Sequence, residues 1–123
     1  MSRVAQRLPL CPSAAVAEGG HRKFRLIFEG RPEECLVIRF GGAVYAYINR
    51  CVHMPRPLDC EQAVVFDDSG RYLRCSMHGI VYTPQTGTSV SALCEGAQLR
   101  SIEIYEADGE IGVADFRVRA LLP

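Results

Sequence analysis

Two short segments, each with one cysteine and one histidine, restrict the fold of this chain more than any other feature. The first is Cys51-Val52-His53 and the second is Cys75-Ser76-Met77-His78. Each stands where a candidate β-strand ends, so a loop on a rigid base would present one thiol and one imidazole. The residues between them, 54–74, have the pattern of a hairpin. Because a hairpin returns the chain close to its point of departure, the two loops are predicted to face each other.

Two thiolates and two imidazoles suit either of two metal centres. One is a structural zinc ion, for which two cysteines and two histidines are a common tetrahedral set. The other is a [2Fe–2S] cluster with two cysteines on one iron and two histidines on the other. Zinc sites usually keep like ligands together, whereas each pair here is mixed. The mixed order favours one cluster per chain, with Cys51 and Cys75 on one iron and His53 and His78 on the other.

The rest of the chain predicts an all-β fold. Turn signals recur about every eight to twelve residues, between short runs rich in β-branched and aromatic side chains. No window of helical length shows a helical period. Gly41-Gly42, Asp67–Gly70 and Asp108-Gly109 are typical of tight turns between strands. The predicted strands are Phe24–Phe28, Cys35–Phe40, Val44–Ile48, Val64–Phe66, Tyr72–Arg74, Ile80–Thr83, Leu99–Tyr105 and Ile111–Val113.

Length and composition indicate one small folded domain and limit the partners it can have. Its 123 residues suffice for one core, and a hydrophobic fraction of 48% excludes a disordered chain. The 14 basic residues balance the 14 acidic ones, so neither a nucleic-acid nor a membrane partner is indicated. Pro9 and Pro12 interrupt the N-terminal apolar stretch, which argues against a signal peptide. We therefore expect a cytoplasmic protein whose six cysteines are ligands or buried thiols.

Over nearly its whole length the chain resembles the Rieske [2Fe–2S] proteins. The specific part is Cys51-Val52-His53 with Cys75-Ser76-Met77-His78-Gly79, and Pro84-Gln85-Thr86-Gly87 looks like the family's turn after the second loop. The resemblance implies that 1–123 form a single Rieske domain. This domain has an antiparallel β-sandwich base and a smaller inserted cluster-binding subdomain at about 49–91. The cluster ligands it implies are Cys51, His53, Cys75 and His78.

Departures from the family pattern indicate which branch of the Rieske family the chain resembles. In the cytochrome bc-type branch each ligand loop has a further cysteine, and the two form a disulfide. Arg56 and Met77 stand at those positions here, so the resemblance is to the soluble ferredoxin-like branch. The high-potential branch also has a serine where this chain has Ile80, and a sulfur-donating tyrosine where it has Tyr82. With one such donor we expect a potential in the lower part of the Rieske range, which starts near about −150 mV.

A few residues near the ligands are expected to shield the cluster or to pack close to it. Met54, Pro55, Pro57 and Pro84 are expected to form a stiff apolar cover that limits water near the cluster. Cys94 lies in a segment that resembles the family's third loop, where it either approaches the cluster or fills buried space. The cysteines without ligand-like spacing are expected to pack as small hydrophobic residues; they are Cys11, Cys35 and Cys60.

The resemblance implies a ferredoxin that carries single electrons from a flavin-containing reductase to a ring-hydroxylating, non-haem iron oxygenase. A mononuclear non-haem iron site needs two histidines and a carboxylate, and only His21 remains after the cluster has taken two. We therefore expect an electron-transfer component and not a catalyst by itself. Two alternatives stay open. One is an accessory or redox-sensing subunit of an oxidoreductase complex such as a nitrite reductase, and the other is a zinc-stabilised structural domain.

Overall fold

The chain is built from β-strands over the residues that the computed structural model describes, which are 7–51, 57–58, 64–75, 80–91 and 96–123. The predicted all-β class is confirmed. A single turn of 3₁₀ helix, Ser13–Ala15, is the one helical element in these ranges. No helix in the described part of the chain is long and apolar enough to span a membrane. The strands are β1 (Leu8–Pro12), β2 (His21–Phe28), β3 (Arg31–Phe40), β4 (Ala43–Ile48), β5 (Leu73–Arg74), β6 (Val81–Tyr82), β7 (Ile104–Ala107), β8 (Glu110–Val113) and β9 (Val118–Leu121).

The described residues of Met1–Ala46 and Ile102–Pro123 form one compact unit. It contains an antiparallel three-stranded sheet in the order β1-β8-β7 and most of a four-stranded sheet in the order β4-β3-β2-β9. The inward side chains of the central strands are fully buried, among them Leu26, Leu36 and Ile111. Burial of such branched apolar side chains supplies most of the free energy that holds a small β-sandwich together. This unit is the sandwich base.

Consecutive residues with positive φ close two of the base hairpins. Gly41 and Gly42, at φ 62° and 85°, join β3 to β4, and Asp108 and Gly109, at 54° and 76°, join β7 to β8. Two left-handed residues in a row give the turn whose twist matches that of paired strands. The Glu18 carboxylate accepts hydrogen bonds from both glycine N–H groups of the first turn, at 2.7 and 2.9 Å. Both turns confirm the sequence prediction.

An ion pair between a buried carboxylate and a half-buried arginine fixes the turn that precedes β9. The Asp115 side chain is 1% exposed, and its carboxylate accepts hydrogen bonds from Arg117 Nη2 at 2.6 Å and from the Glu103 N–H at 3.0 Å. Burial alone would raise the pKa of Asp115. The hydrogen bonds from Arg117 and from backbone N–H groups outweigh burial and hold that pKa below its usual value.

Replacing Asp115 by alanine is expected to lower the free energy of unfolding at pH 7 by about 2–3 kcal/mol, because the hydrogen bonds that its buried, charged carboxylate accepts are lost. The pKa of Asp115 is lower in the folded state, so its contribution is present above about pH 4 and is lost as the pH falls through the folded pKa. Urea unfolding of both proteins at pH 7 and at about pH 2 should show a difference that shrinks in acid. Asp108→Asn, in an exposed turn where asparagine tolerates positive φ, is the control and should change little.

Candidate metal centre

Both cysteines of the predicted site lie in the second compact unit, the described residues of Tyr47–Ser101. Its centre is the antiparallel ribbon of β5 and β6, in which Leu73 pairs with Tyr82. Isolated bridges extend this ribbon on both sides, from Phe66 to Leu73 and from Tyr82 to Ser89. These short pairings provide a rigid base for the second ligand loop, which begins directly after β5.

Cys75 directly follows β5 and is 1% exposed. Its N–H donates to the Ile80 carbonyl at 2.8 Å, so the two ends of the second loop are joined. Residues opposite each other on antiparallel strands share a face, and alternate residues along a strand do too. The pairing of Leu73 with Tyr82 therefore places Cys75 on the same face of the ribbon as Tyr82.

Cys51 is brought to this ribbon by Tyr82. Its Sγ lies 3.2 Å from the Tyr82 hydroxyl, and both residues are buried, with exposures of 3% and 0%. A thiolate only accepts hydrogen bonds, so Tyr82 donates whenever Cys51 is ionised. Cys75 therefore shares a face of the ribbon with Tyr82, and the Cys51 sulfur lies beside the hydroxyl of that tyrosine. Soft thiolates in a dry, rigid site are the donor set that zinc and iron–sulfur clusters require.

The remaining residues of the predicted site lie outside the described ranges. They are His53, His78, Met54, Pro55 and Cys94. The structure describes residues at both ends of each loop, Cys51 and Leu58 for the first and Cys75 and Ile80 for the second. Of the prolines expected in the apolar cover, Pro84 is buried but Pro57 is exposed. Of the cysteines expected to pack as hydrophobic residues, Cys35 is fully buried, and burial raises the pKa of its thiol to about 12. Cys11 is only half-buried, and Cys60 lies outside the described residues.

Two residues that sequence reasoning missed, Tyr47 and Asn49, brace the site. The Tyr47 hydroxyl donates to the Pro84 carbonyl at 2.6 Å, which ties β4 to the turn after the second loop. Asn49 Oδ1 accepts a hydrogen bond from the Leu58 N–H at 2.9 Å. One signal could have found Asn49, namely a polar side chain between an apolar strand end and the first cysteine.

Gly87 lies against the Tyr47 ring with a φ of +71°, and a Cβ there would stand 2.7 Å from Tyr47 Cε1. Gly87→Ala is therefore expected to lower the free energy of unfolding by about 2–5 kcal/mol, from left-handed backbone strain plus overpacking. Gly96→Ala is the matched control, because φ is +85° but no atom of the other described residues lies within 4 Å of the added Cβ. Urea denaturation should show a loss of only about 1–2 kcal/mol for the control. Equal losses in the two variants would remove the Tyr47 ring from the explanation.

Fold and site together indicate a β-structured metalloprotein with two buried thiols, one directly after β5 and one beside Tyr82 of β6. A comparison with models of known protein families shows which metalloprotein family this is. The chain belongs to the Rieske [2Fe-2S] domain family, whose model matches residues 6–106. Its cofactor is accordingly a [2Fe–2S] cluster, and two buried thiols, of Cys75 after β5 and of Cys51 beside Tyr82, suit that group. A comparison with curated proteins finds no match.

Solved structures share the fold at low sequence identity. The ferredoxin of carbazole 1,9a-dioxygenase from Nocardioides aromaticivorans IC177 is 23% identical, with a TM-score of 0.71 over 90% of this chain and 99% of that chain. The terminal oxygenase of carbazole 1,9a-dioxygenase from Novosphingobium sp. KA1 is 24% identical, with a TM-score of 0.72 over 90% of this chain but 30% of that chain. A chain in the reduced complex between oxygenase and ferredoxin in carbazole 1,9a-dioxygenase is 24% identical, with a TM-score of 0.72 over 89% of this chain and 28% of that chain. The fold thus occurs as nearly all of a ferredoxin and as under a third of an oxygenase.

Proposed function

We propose that this protein is a Rieske-type ferredoxin, which takes single electrons from a flavin-containing reductase and passes them to a ring-hydroxylating oxygenase. The observation that carries the proposal is the extent of the structural match, which spans 99% of a dioxygenase ferredoxin but 30% of a terminal oxygenase. Histidine content supports it too. Three histidines cannot supply both a cluster and a mononuclear iron site that needs two more.

The ligands we assign are Cys51 and Cys75 on one iron and His53 and His78 on the other, within a cluster-binding subdomain at about 49–91. Burial of both thiols, and the contact of Cys51 with Tyr82 of the ribbon that carries Cys75, support this assignment. When bound, the cluster accepts and releases one electron. The protein's part is to hold one thiolate at the end of the ribbon and the other beside Tyr82, and to keep water away from both. A cytoplasmic location belongs to the same proposal, since reducing conditions keep thiols available as ligands.

Donors to the cluster sulfurs set the expected potential. The Tyr82 hydroxyl is placed to donate to the Cys51 sulfur, whereas the buried side chain of Ile80 has no donor. Each donor stabilises the extra negative charge of the reduced state and so raises the potential. With one donor we expect a midpoint in the lower part of the Rieske range, near about −150 mV.

Tyr82→Phe is expected to lower the midpoint potential by about 20–60 mV, the electrochemical equivalent of one lost hydrogen bond. A dye-mediated redox titration followed by visible absorption measures the shift. Tyr105→Phe is the matched control, because its hydroxyl donates to Glu110 in the base, at 2.7 Å. The control should leave the potential unchanged. A Tyr82→Phe potential equal to that of the wild type would contradict the donor role.

Stopped-flow kinetics test the carrier function directly. The oxidised protein is mixed with a flavin-containing reductase, and the reduced protein is then mixed with a ring-hydroxylating oxygenase. Rapid reduction and rapid reoxidation are expected, together with oxygenase turnover that depends on the added protein. Reduction too slow to support turnover would contradict a carrier. Iron analysis and the visible spectrum test the cofactor separately, because a zinc protein is colourless.

A further inference from the structure

Asn49 is a buried polar residue at the start of the first ligand loop. It is 6% exposed, and its Oδ1 accepts a hydrogen bond from the Leu58 N–H at 2.9 Å. Leu58 is 0% exposed. The preceding Pro57 has no N–H to offer, so the Leu58 amide is the donor at this end of the loop. One side chain therefore joins the entry of the loop to its return.

The backbone on either side of Asn49 is also held. The Ile48 N–H donates to the Arg100 carbonyl at 2.8 Å, and the Arg50 N–H turns back to the Ile48 carbonyl at 2.8 Å. The next residue is Cys51, whose Sγ lies 3.2 Å from the Tyr82 hydroxyl. Asn49 thus stands between a fixed strand end and the thiol that meets Tyr82.

Loss of the Asn49 acceptor would leave the buried Leu58 N–H without this partner, which is costly for an amide away from water. The loop could relieve that cost only by shifting, and its freedom to shift grows once its two ends are no longer joined. Cys51 lies inside the segment that would move. We propose that Asn49 is a positioning residue, which keeps the first ligand loop closed and thereby holds Cys51 against Tyr82. This inference rests on the proposed function, since it treats Cys51 as a cluster ligand.

The first measurement is iron release from the holoprotein to a chelator. Asn49→Leu, which has a similar size but no acceptor, should release iron about tenfold faster than the wild type, as expected for a lost buried hydrogen bond. Asn49→Asp keeps an oxygen at the same place and should release iron at nearly the wild-type rate. Asn49→Ala replaces Asn49→Leu if the leucine variant does not fold.

The second measurement separates positioning from a general loss of stability. The shift in midpoint potential caused by Tyr82→Phe is determined in the wild type, in Asn49→Leu and in Asn49→Asp. If Asn49 holds Cys51 against Tyr82, the shift should fall to less than half in Asn49→Leu and stay at its wild-type size in Asn49→Asp. Asp115→Ala is the matched control, because it also removes a buried oxygen that accepts a backbone N–H, but in the base. It should leave the shift unchanged.

Equal Tyr82→Phe shifts in the wild type and in Asn49→Leu would overturn the inference. So would iron release from Asn49→Asp as fast as from Asn49→Leu. Failure of the proposed function looks different. Wild-type protein that holds no cluster after incubation with iron and sulfide would overturn both the function and the inference. Wild-type protein that holds the cluster but exchanges no electrons with its partners would overturn the carrier function alone, and the potential shifts would still decide the role of Asn49.

Discussion

Cys51→Ser is expected to yield protein with no [2Fe–2S] cluster, without the visible absorption of the wild type and without an EPR signal after dithionite reduction. Thiolate ligands hold the cluster irons, and a serine hydroxyl is a harder donor that stays protonated at neutral pH. Substitution of residues that hydrogen-bond to metal ligands already lowers metal affinity about 10–100-fold, so substitution of a ligand itself should lower it by more than about 100-fold. Cys75→Ser should behave in the same way. The measurement is iron and sulfide content of the purified protein.

Cys35→Ala provides the control for the cysteine variants. Cys35 is as deeply buried as the two proposed ligands, at 0% exposure, but it lies on β3 of the base. Burial raises the pKa of its thiol to about 12, so the group stays neutral at physiological pH and serves as packing. This variant should keep its full iron content. Wild-type iron content in Cys51→Ser would remove Cys51 from the ligand set.

Exchange of both His53 and His78 for cysteine is expected to lower the midpoint potential by about 250 mV, the gap between the low end of the Rieske range and plant-type ferredoxins. The cause is charge. An oxidised core of formal charge 2+ is neutralised by two thiolates and two neutral imidazoles, whereas four thiolates leave the site doubly negative. An added electron is repelled more strongly by the second site.

Potentiometry with EPR detection measures the effect of the histidine exchange. The averaged g value of the reduced protein should move from the mixed histidine and cysteine type to the all-cysteine type. His78→Cys alone should give an intermediate potential, which serves as an internal control. An unchanged potential and EPR spectrum in the double variant would contradict ligation by these histidines.

Local sequence patterns predict the central strands and their turns well. The runs that became β2, β3 and β4 are rich in apolar residues, and Gly41-Gly42 has the backbone freedom that its turn needs. β1 was not predicted because Pro9 and Pro12 argue against a strand. The structure accommodates both prolines because β1 is an edge strand whose register shifts between Pro9 and Cys11. β9 is also an edge strand, and its four residues are too few to show a period.

The prediction of one strand over Leu99–Tyr105 was wrong in its first half. β7 begins only at Ile104, and Ser101 makes an isolated bridge with Tyr47. The chain passes from the second unit back to the base between Ser101 and Ile102, so the two halves of this run have different pairing partners. Periodicity reports only local alternation and gives no sign of such a change.

The metal site shows the same division between local and distant information. The Cys-x-His and Cys-x-x-His spacings are local, and they predicted the family and its cofactor, which the comparison confirms. The contacts that brace the site join residues far apart in the chain. The Tyr47 hydroxyl donates to the Pro84 carbonyl, and the Cys51 sulfur contacts the Tyr82 hydroxyl. No local sequence spacing predicts either of these contacts. Asn49 and Leu58 are closer in sequence, but their bond depends on how the loop between them closes.

The second unit enters and leaves through neighbouring residues. Tyr47 and Ser101 form an antiparallel bridge, and in the base the Ile102 N–H donates to the Ala46 carbonyl at 2.9 Å. An insertion whose two ends lie side by side requires of the base only that two neighbouring chain positions stay available for its connections. The residues that tune the electron affinity can therefore diverge while the scaffold stays as it is, and the scaffold can acquire a new protein-binding surface without disturbing the redox chemistry.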